Sequence, residues 1–128
     1  MKVLLGSTAL YTAASFLHFS HNAEFLADYP NLPASLTRLG VYAAWLAVTA
    51  IGVVGLMLLR WQLRVAGLLV LAVYAAFGFD GLAHYALAPL SAHTGMMNFT
   101  ILFEVATALL LLFVVGRDLV AANREQSS

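Results

Sequence analysis

The chain has 128 residues, of which 62% are hydrophobic and 9% are charged, and its formal net charge is zero. This length fits a single domain, and the apolar fraction is higher than soluble domains carry. The balanced charge excludes the basic surface that nucleic-acid binding requires. Because the sequence has no cysteine, disulfides, thiolate metal ligands and cysteine nucleophiles are excluded as well.

Four continuous apolar stretches are each long enough to cross a bilayer as a helix. They lie at about residues 3–27, 39–59, 65–88 and 95–115. About 20 residues at ~1.5 Å rise cross a hydrocarbon core of about 30 Å. Short connections favour an up-down-up-down bundle. We therefore expect an all-α integral membrane protein with a single four-helix transmembrane domain over 1–128 and a polar tail at 117–128 that is frayed from Ala121.

The first stretch follows Lys2 and resembles a secretory signal in its charge and apolar run, with Thr12 to Ser15 as a poor cleavage region. The run continues through Phe25 without a turn signal. We therefore expect an uncleaved first span.

The end of this span carries four ionisable side chains on one helix face: His18, His21, Glu24 and Asp28. At about 100° per residue they occupy a stripe about 120° wide. Imidazole and carboxylate groups are the usual nitrogen and oxygen ligands of Zn, Fe and Cu. Asp28 adjoins the following loop and is either a site residue or an interface residue, whereas His18 lies well inside the hydrocarbon.

The second span has few hydrogen-bonding side chains and is expected to form a wall of the bundle, with Ser35 or Thr37 as its N-cap. The third span carries Asp80 and His84 at i,i+4 spacing. Both can ligate one ion, or Asp80 can accept a hydrogen bond from His84 and fix its tautomer. A self-contained buried pair without function is the alternative.

The fourth span carries Glu104, and His93 lies in the loop before it. Counted from Gly95 at ~1.5 Å per residue, Glu104 lies about 14 Å into the bilayer. An unpaired carboxylate at that depth is costly, so it stays protonated or finds a partner. His18 and Asp80 lie at comparable depths in their own spans. His93 is either part of the same site or an interface residue.

Positive charges predict the orientation of the spans. Five of them fall in segments that share one side of a four-span topology: Lys2, Arg60, Arg64, Arg117 and Arg124. The opposite loops hold only Arg38. The positive-inside rule then places both termini in the cytoplasm, in what we expect to be a bacterial inner membrane. The polar clusters lie in the periplasmic half.

These clusters predict a metal site for Zn, Fe or Cu. The expected ligands are His18, His21, His84, Glu104 and Asp80. Glu104, Glu24 and Asp80 are the candidate catalytic acids and bases. An ion with an open position activates water or binds oxygen, which would make the protein a hydrolase or oxidase of a lipid-like substrate. Met96 and Met97 are potential soft copper ligands, but we interpret them as packing residues.

Three other functions remain open. The same groups can form a metal-free acid–base enzyme site, or serve a proton- or ion-coupled carrier or an accessory subunit of a membrane complex. His18 and His84 can also hold a b-type haem, which the nearby carboxylates make less attractive than a bare ion. The bilayer is the expected partner, and a homo-oligomer is compatible with the sequence.

Overall fold

A computed structural model describes residues 1–126, and this part of the chain is all-helical. The α-helices are α1 (Lys2–Glu24), α2 (Arg38–Arg60), α3 (Arg64–Ala76), α4 (Ala83–Leu87) and α5 (Gly95–Gln126). Short 3₁₀ segments occur at Leu26–Asp28, Phe77–Leu82 and Leu90–Ala92. Four segments, namely α1, α2, α3 continued through α4, and α5, are long and apolar enough to cross a membrane. The prediction of four helices long and apolar enough to cross a membrane is confirmed.

The helices pack around a shared interior, since α1 and α3 each contact both α2 and α5. Most of the buried apolar side chains of that interior form one group, which we call the apolar cluster. Its members are Leu4, Tyr11, Leu68, Leu71, Tyr74, Ala75, Ala108, Leu111, Val114 and Val115. A second, smaller group consists of Tyr29, Met97 and Ile101. Most of the buried polar side chains lie on α1 and α5, whereas His84 lies on α4 and His93 lies in the loop before α5.

The third span is not one regular helix. The 3₁₀ segment Phe77–Leu82 interrupts it between α3 and α4, whereas the sequence predicts one continuous span over 65–88. A Cβ on Gly78 would lie 2.5 Å from the Cβ of Ala108 and 2.7 Å from the ring of Tyr11. The absence of a side chain at Gly78 therefore lets the interrupted segment approach both α1 and α5 closely.

The last helix is longer than predicted. Within the described part of the tail predicted at 117–128, α5 continues to Gln126. No proline breaks the helix after Gly116, and Arg64 Nη1 donates to Glu125 Oε2 at 2.6 Å, joining the start of α3 to the end of α5. Residues 127 and 128 lie outside the described range.

The loop between α1 and α2 is held at both ends. The Thr37 hydroxyl accepts from the backbone N–H of Gly40 at 3.0 Å, which confirms one of the two predicted caps. Within the loop, Asn31 adopts a positive φ of 59°, and its Nδ2 donates to the carbonyl oxygen of Leu87 at 2.9 Å. The loop is thereby fixed against the end of α4.

Candidate functional site: a buried histidine–glutamate pair

The centre of the polar region is the Glu104 carboxyl group on α5. The residue is 1% exposed, and neither carboxyl oxygen has a partner in hydrogen-bonding geometry. His18 Nε2 on α1 lies 3.8 Å from Glu104 Oε2. The Ser15 hydroxyl, also buried, lies next to Glu104. A buried polar group without full hydrogen bonding is costly to folding and rare, so this carboxyl group needs an explanation.

His18 is buried as well, at 4% exposure, and its two ring nitrogens face different partners. Nδ1 lies 3.4 Å from the Thr100 hydroxyl oxygen on α5, while Nε2 faces Glu104. Thr100 precedes Glu104 by four residues, so one face of α5 supplies both partners of this imidazole. The helix periodicity thus orients the ring between a hydroxyl and a carboxyl group.

The 3₁₀ segment brings a glycine to this pair. A Cβ built on Gly81 would lie 3.5 Å from both Glu104 Oε2 and His18 Nε2. Those are ordinary van der Waals distances, so the glycine leaves room for about one small group between the backbone and the pair. The interruption of the third span therefore positions an open face beside the two titratable side chains.

His18 also lines a cavity of ≈ 350 Å³ between α1, α2 and the third span. Its wall includes Asp80 and His84, its other lining residues are mostly apolar, and its loop side is formed by Leu32, Pro33 and Leu36. Asp80 is exposed and lines this open space. This volume and lining are typical of sites for small, largely apolar ligands.

Two further histidines extend the polar region toward the loops. The rings of His18 and His84 are edge to face with centroids 5.4 Å apart, and those of His84 and His93 are 6.1 Å apart. Asn22 Nδ2 lies 3.0 Å from His84 Nε2. His93 Nδ1 lies 3.1 Å from the carbonyl oxygen of Pro89, which can only accept, so this nitrogen carries the proton. His93 Nε2 is buried and has no hydrogen-bond partner.

The structure brings some of the predicted residues together and separates others. His18, His84 and Glu104 are close neighbours, His93 adjoins them, and Asp80 shares their cavity. Within the described part of the chain there is no hydrogen bond between Asp80 and His84, because the 3₁₀ segment changes the helical register that the sequence assumed for them.

The remaining acidic residues of α1 lie away from the pair. Glu24 Oε1 accepts from Arg38 at 2.7 Å and from the Tyr42 hydroxyl at 2.7 Å, and the Glu24 side chain is 43% exposed. It therefore links the two ends of the loop and does not line the cavity. Asp28 is also exposed.

His21 turns toward the loop. Its Nδ1 lies 2.9 Å from the hydroxyl of Tyr29, and its ring stacks on Phe25. The Tyr29 side chain is buried, and this burial raises its pKa to about 12. Sequence reasoning overlooked Ser15 and Asn22. Asn22 and Ser15 follow and precede His18 by four and three residues, so the helix period was a signal that could have found both.

The predicted metal ligands do not form a ready-made coordination set. Among residues 1–126, no three histidine, aspartate or glutamate side chains lie in an arrangement that could hold a metal ion. What the geometry offers is one imidazole and one carboxyl group facing each other, with unoccupied hydrogen-bonding capacity on both oxygens. Such a pair can donate and accept protons.

No protein-family model, curated protein or solved structure matches this chain.

Proposed function

We propose that the protein is an integral membrane protein in which His18 and Glu104 form an acid–base site for a small lipid-soluble molecule. One observation carries the proposal: a carboxyl group at 1% exposure, with both oxygens unpaired, faces an imidazole nitrogen at 3.8 Å. A purely structural polar group in such a place would be expected to satisfy its own hydrogen bonds.

The chemistry follows from the protonation states that burial favours. Ionising a carboxyl group away from water, with no cation to balance it, is costly, so the neutral pair is the resting form. In that form Glu104 can donate a proton and His18 can accept one. Opposite roles for two neighbouring titratable groups are the usual basis of general acid–base catalysis.

The cavity indicates the kind of molecule that reaches His18, which is the member of the pair that lines it. Its volume of ≈ 350 Å³ and its apolar lining suit a small amphiphile, with a polar group near His18 and Asp80 and an apolar body against α2. The exposed Asp80 favours a cavity that holds water or a polar head group, since a carboxylate facing lipid tails would be expensive.

The orientation remains as the positive charges predict it. We place both termini in the cytoplasm of a bacterium and the loops flanking the site at the periplasmic side, with spans that alternate in direction. The site then lies in the outer half of the membrane. A proton-coupled carrier or a subunit of a larger complex would use the same pair, and these alternatives stay open.

A labelling experiment tests the binding role. The protein in nanodiscs is photolabelled with a diazirine-bearing long-chain alcohol, and the modified residues are mapped by mass spectrometry. We expect labels on cavity residues, reduced several-fold by Ala44→Trp, because Ala44 lines the cavity. Its neighbour Ala43 is exposed and does not line it, so Ala43→Trp is the matched control. Equal labelling of all three proteins would contradict the proposal.

A bound metal ion is the second candidate function. His18 and Glu104, whose Nε2 and Oε2 atoms are 3.8 Å apart, would hold the ion, and it would supply an activated water. A third ligand, from His84 or Asp80, would require a side-chain rotation. A haem between His18 and His84 is less suited, because their rings are in direct edge-to-face contact.

Elemental analysis separates the two candidates. Purified under non-chelating conditions, a metalloprotein would hold about one equivalent of Zn, Fe or Cu, and Glu104→Gln would lose it. The acid–base site would show no stoichiometric ion in either protein. Glu24→Gln is the control, because Glu24 lies outside the pair.

A further inference from the structure

The cavity beside His18 has a carboxylate in its wall and no cation to balance it. Asp80 lines the cavity and is exposed, and within residues 1–126 its carboxyl group forms no ion pair. No lysine or arginine of the described chain lines the cavity. Arg38, near the loop side, already donates to Glu24 Oε1 at 2.7 Å. The charge of Asp80 is therefore left for whatever the cavity binds.

Asn22 adds a second, neutral acceptor to the same wall. Its side chain lines the cavity and the residue is 8% exposed. The Nδ2 atom lies 3.0 Å from His84 Nε2, so the amide nitrogen has a partner, whereas the buried Oδ1 atom has none. A buried carbonyl oxygen without a donor is costly to folding. A ligand that donates a hydrogen bond would remove this cost.

These two features select the polar group of the ligand. A carboxylate and an amide oxygen both accept hydrogen bonds, and the carboxylate also favours positive charge. A primary ammonium group has three donors and no acceptor, and aliphatic amines are protonated at neutral pH, with a pKa of about 10.4. A fatty acid would be repelled by Asp80, and an alcohol would leave its charge unbalanced.

We propose that the cavity binds a protonated primary amine with an apolar chain, whose ammonium group donates to the Asp80 carboxylate and to Asn22 Oδ1. The chain lies against Leu36, Val41 and Ala44, which form the apolar part of the wall. Because the ammonium and the carboxylate together are neutral, their pairing avoids the cost of an isolated charge within the membrane.

This inference deepens the proposed function and rests on it, because it names the class of molecule that the cavity brings to His18. A metal ion at Asp80 is the competing occupant. An amine could then still enter the cavity, but it would bind as a ligand of that ion.

Competition for the cavity tests the choice of ligand. The protein in phosphatidylcholine nanodiscs is photolabelled with the diazirine-bearing alcohol in the presence of increasing decylamine or decanol. Labelling is measured at cavity residues other than Asp80. We expect Asp80→Asn to raise the decylamine concentration that halves labelling by about tenfold, because the variant lacks the charge that binds the ammonium group. Decanol should compete equally with both proteins.

Asp28→Asn is the matched control. Asp28 is exposed and does not line the cavity, so competition by decylamine should be unchanged. Each competitor is compared between proteins in the same lipid, so its partitioning into the bilayer cancels. Asp80 is itself exposed, and its substitution should not prevent folding. Asn22→Leu should weaken decylamine several-fold, and an unchanged value would show that the ammonium does not reach Asn22.

Two results would overturn the inference. Decylamine that competes equally in the unmodified protein and in Asp80→Asn would show that the carboxylate does not bind it. An effect of Asp80→Asn that disappears in EDTA would show that the amine binds through a metal ion.

The proposed function fails in a different way. If the inference alone is wrong, Ala44→Trp still reduces photolabelling of the cavity by the alcohol. If Ala44→Trp and both competitors leave this labelling unchanged, the cavity does not bind small amphiphiles and the proposed function itself is contradicted.

Discussion

The same helices bury two regions of opposite character. The apolar cluster contains tightly packed side chains such as Leu71 and Leu111, both fully buried. Elsewhere on α1 and α5 the interior is polar: Glu104 and His18 are also buried, and neither Glu104 carboxyl oxygen has a hydrogen-bond partner. Lipid tails are as apolar as leucine, so apolar burial in a membrane gains mainly packing. The buried pair of His18 and Glu104 gains no such packing advantage. Stability therefore does not explain why these polar residues are buried, and a function does.

The largest effect should come from opening the apolar cluster. Leu71→Ala removes a side chain with 0% exposure and should lower the free energy of unfolding by about 3 kcal/mol, because a cavity remains. Leu69, on the same helix, is 53% exposed, and Leu69→Ala should change the free energy of unfolding little. Equilibrium unfolding in mixed detergent micelles measures both. Equal losses would mean that the cluster is not the stabilising region.

Gly78 lies where the 3₁₀ segment packs against Tyr11 and Ala108 of the apolar cluster. Gly78→Val should cost about 2 kcal/mol, because its Cβ would meet Ala108 and Tyr11 and force α5 away from the 3₁₀ segment. Gly116 has nothing within 4 Å of its own Cβ position, so Gly116→Val is the control. The same unfolding assay applies. A tolerated Gly78→Val would show that this close approach does not hold the two regions together.

Converting the polar region into an apolar one should stabilise the protein. Glu104→Leu removes an incompletely bonded buried carboxyl group, and we expect a gain of about 1 kcal/mol together with loss of acid–base function. Glu104→Gln keeps a polar group in the same place and should bring no gain. If Glu104→Leu were instead less stable than the unmodified protein, the carboxyl group would have a structural role.

The smallest effect is expected at the exposed acid of the first cluster. Glu24→Gln weakens a solvent-exposed contact with Arg38 and Tyr42 and should leave stability within experimental error. Photolabelling of the cavity and the infrared band of Glu104 should also be unchanged. A lost or shifted carboxyl band would bring Glu24 back into the site.

The helices and the key carboxyl group were predictable because their signals are local. The lengths of the apolar stretches predicted the four spans. The depth of Glu104 in its span marked this carboxyl group as exceptional. The same reasoning placed His18 in its own span at a depth comparable with that of Glu104. Each of these inferences needs only the helical repeat and the thickness of a bilayer.

What escaped prediction depends on contacts between distant segments. The 3₁₀ interruption around Asp80 follows from close packing of Gly78 against other helices, which a single helix pattern does not encode. The hydrogen bond between Arg38 and Glu24 forms only because of the path of the loop, and so does the one between His21 and Tyr29. Neither could be predicted without knowing that path. Of the site residues that were predicted from their chemistry alone, some therefore lie in the site and others lie outside it.

The most direct test of the account is the infrared spectrum of the protein in nanodiscs at neutral pH. A buried, neutral Glu104 predicts a protonated carboxyl band that disappears in Glu104→Gln, persists in Glu24→Gln and shifts in frequency in His18→Leu. A spectrum without such a band, or one that Glu104→Gln leaves unchanged, would contradict the proposed acid–base pair.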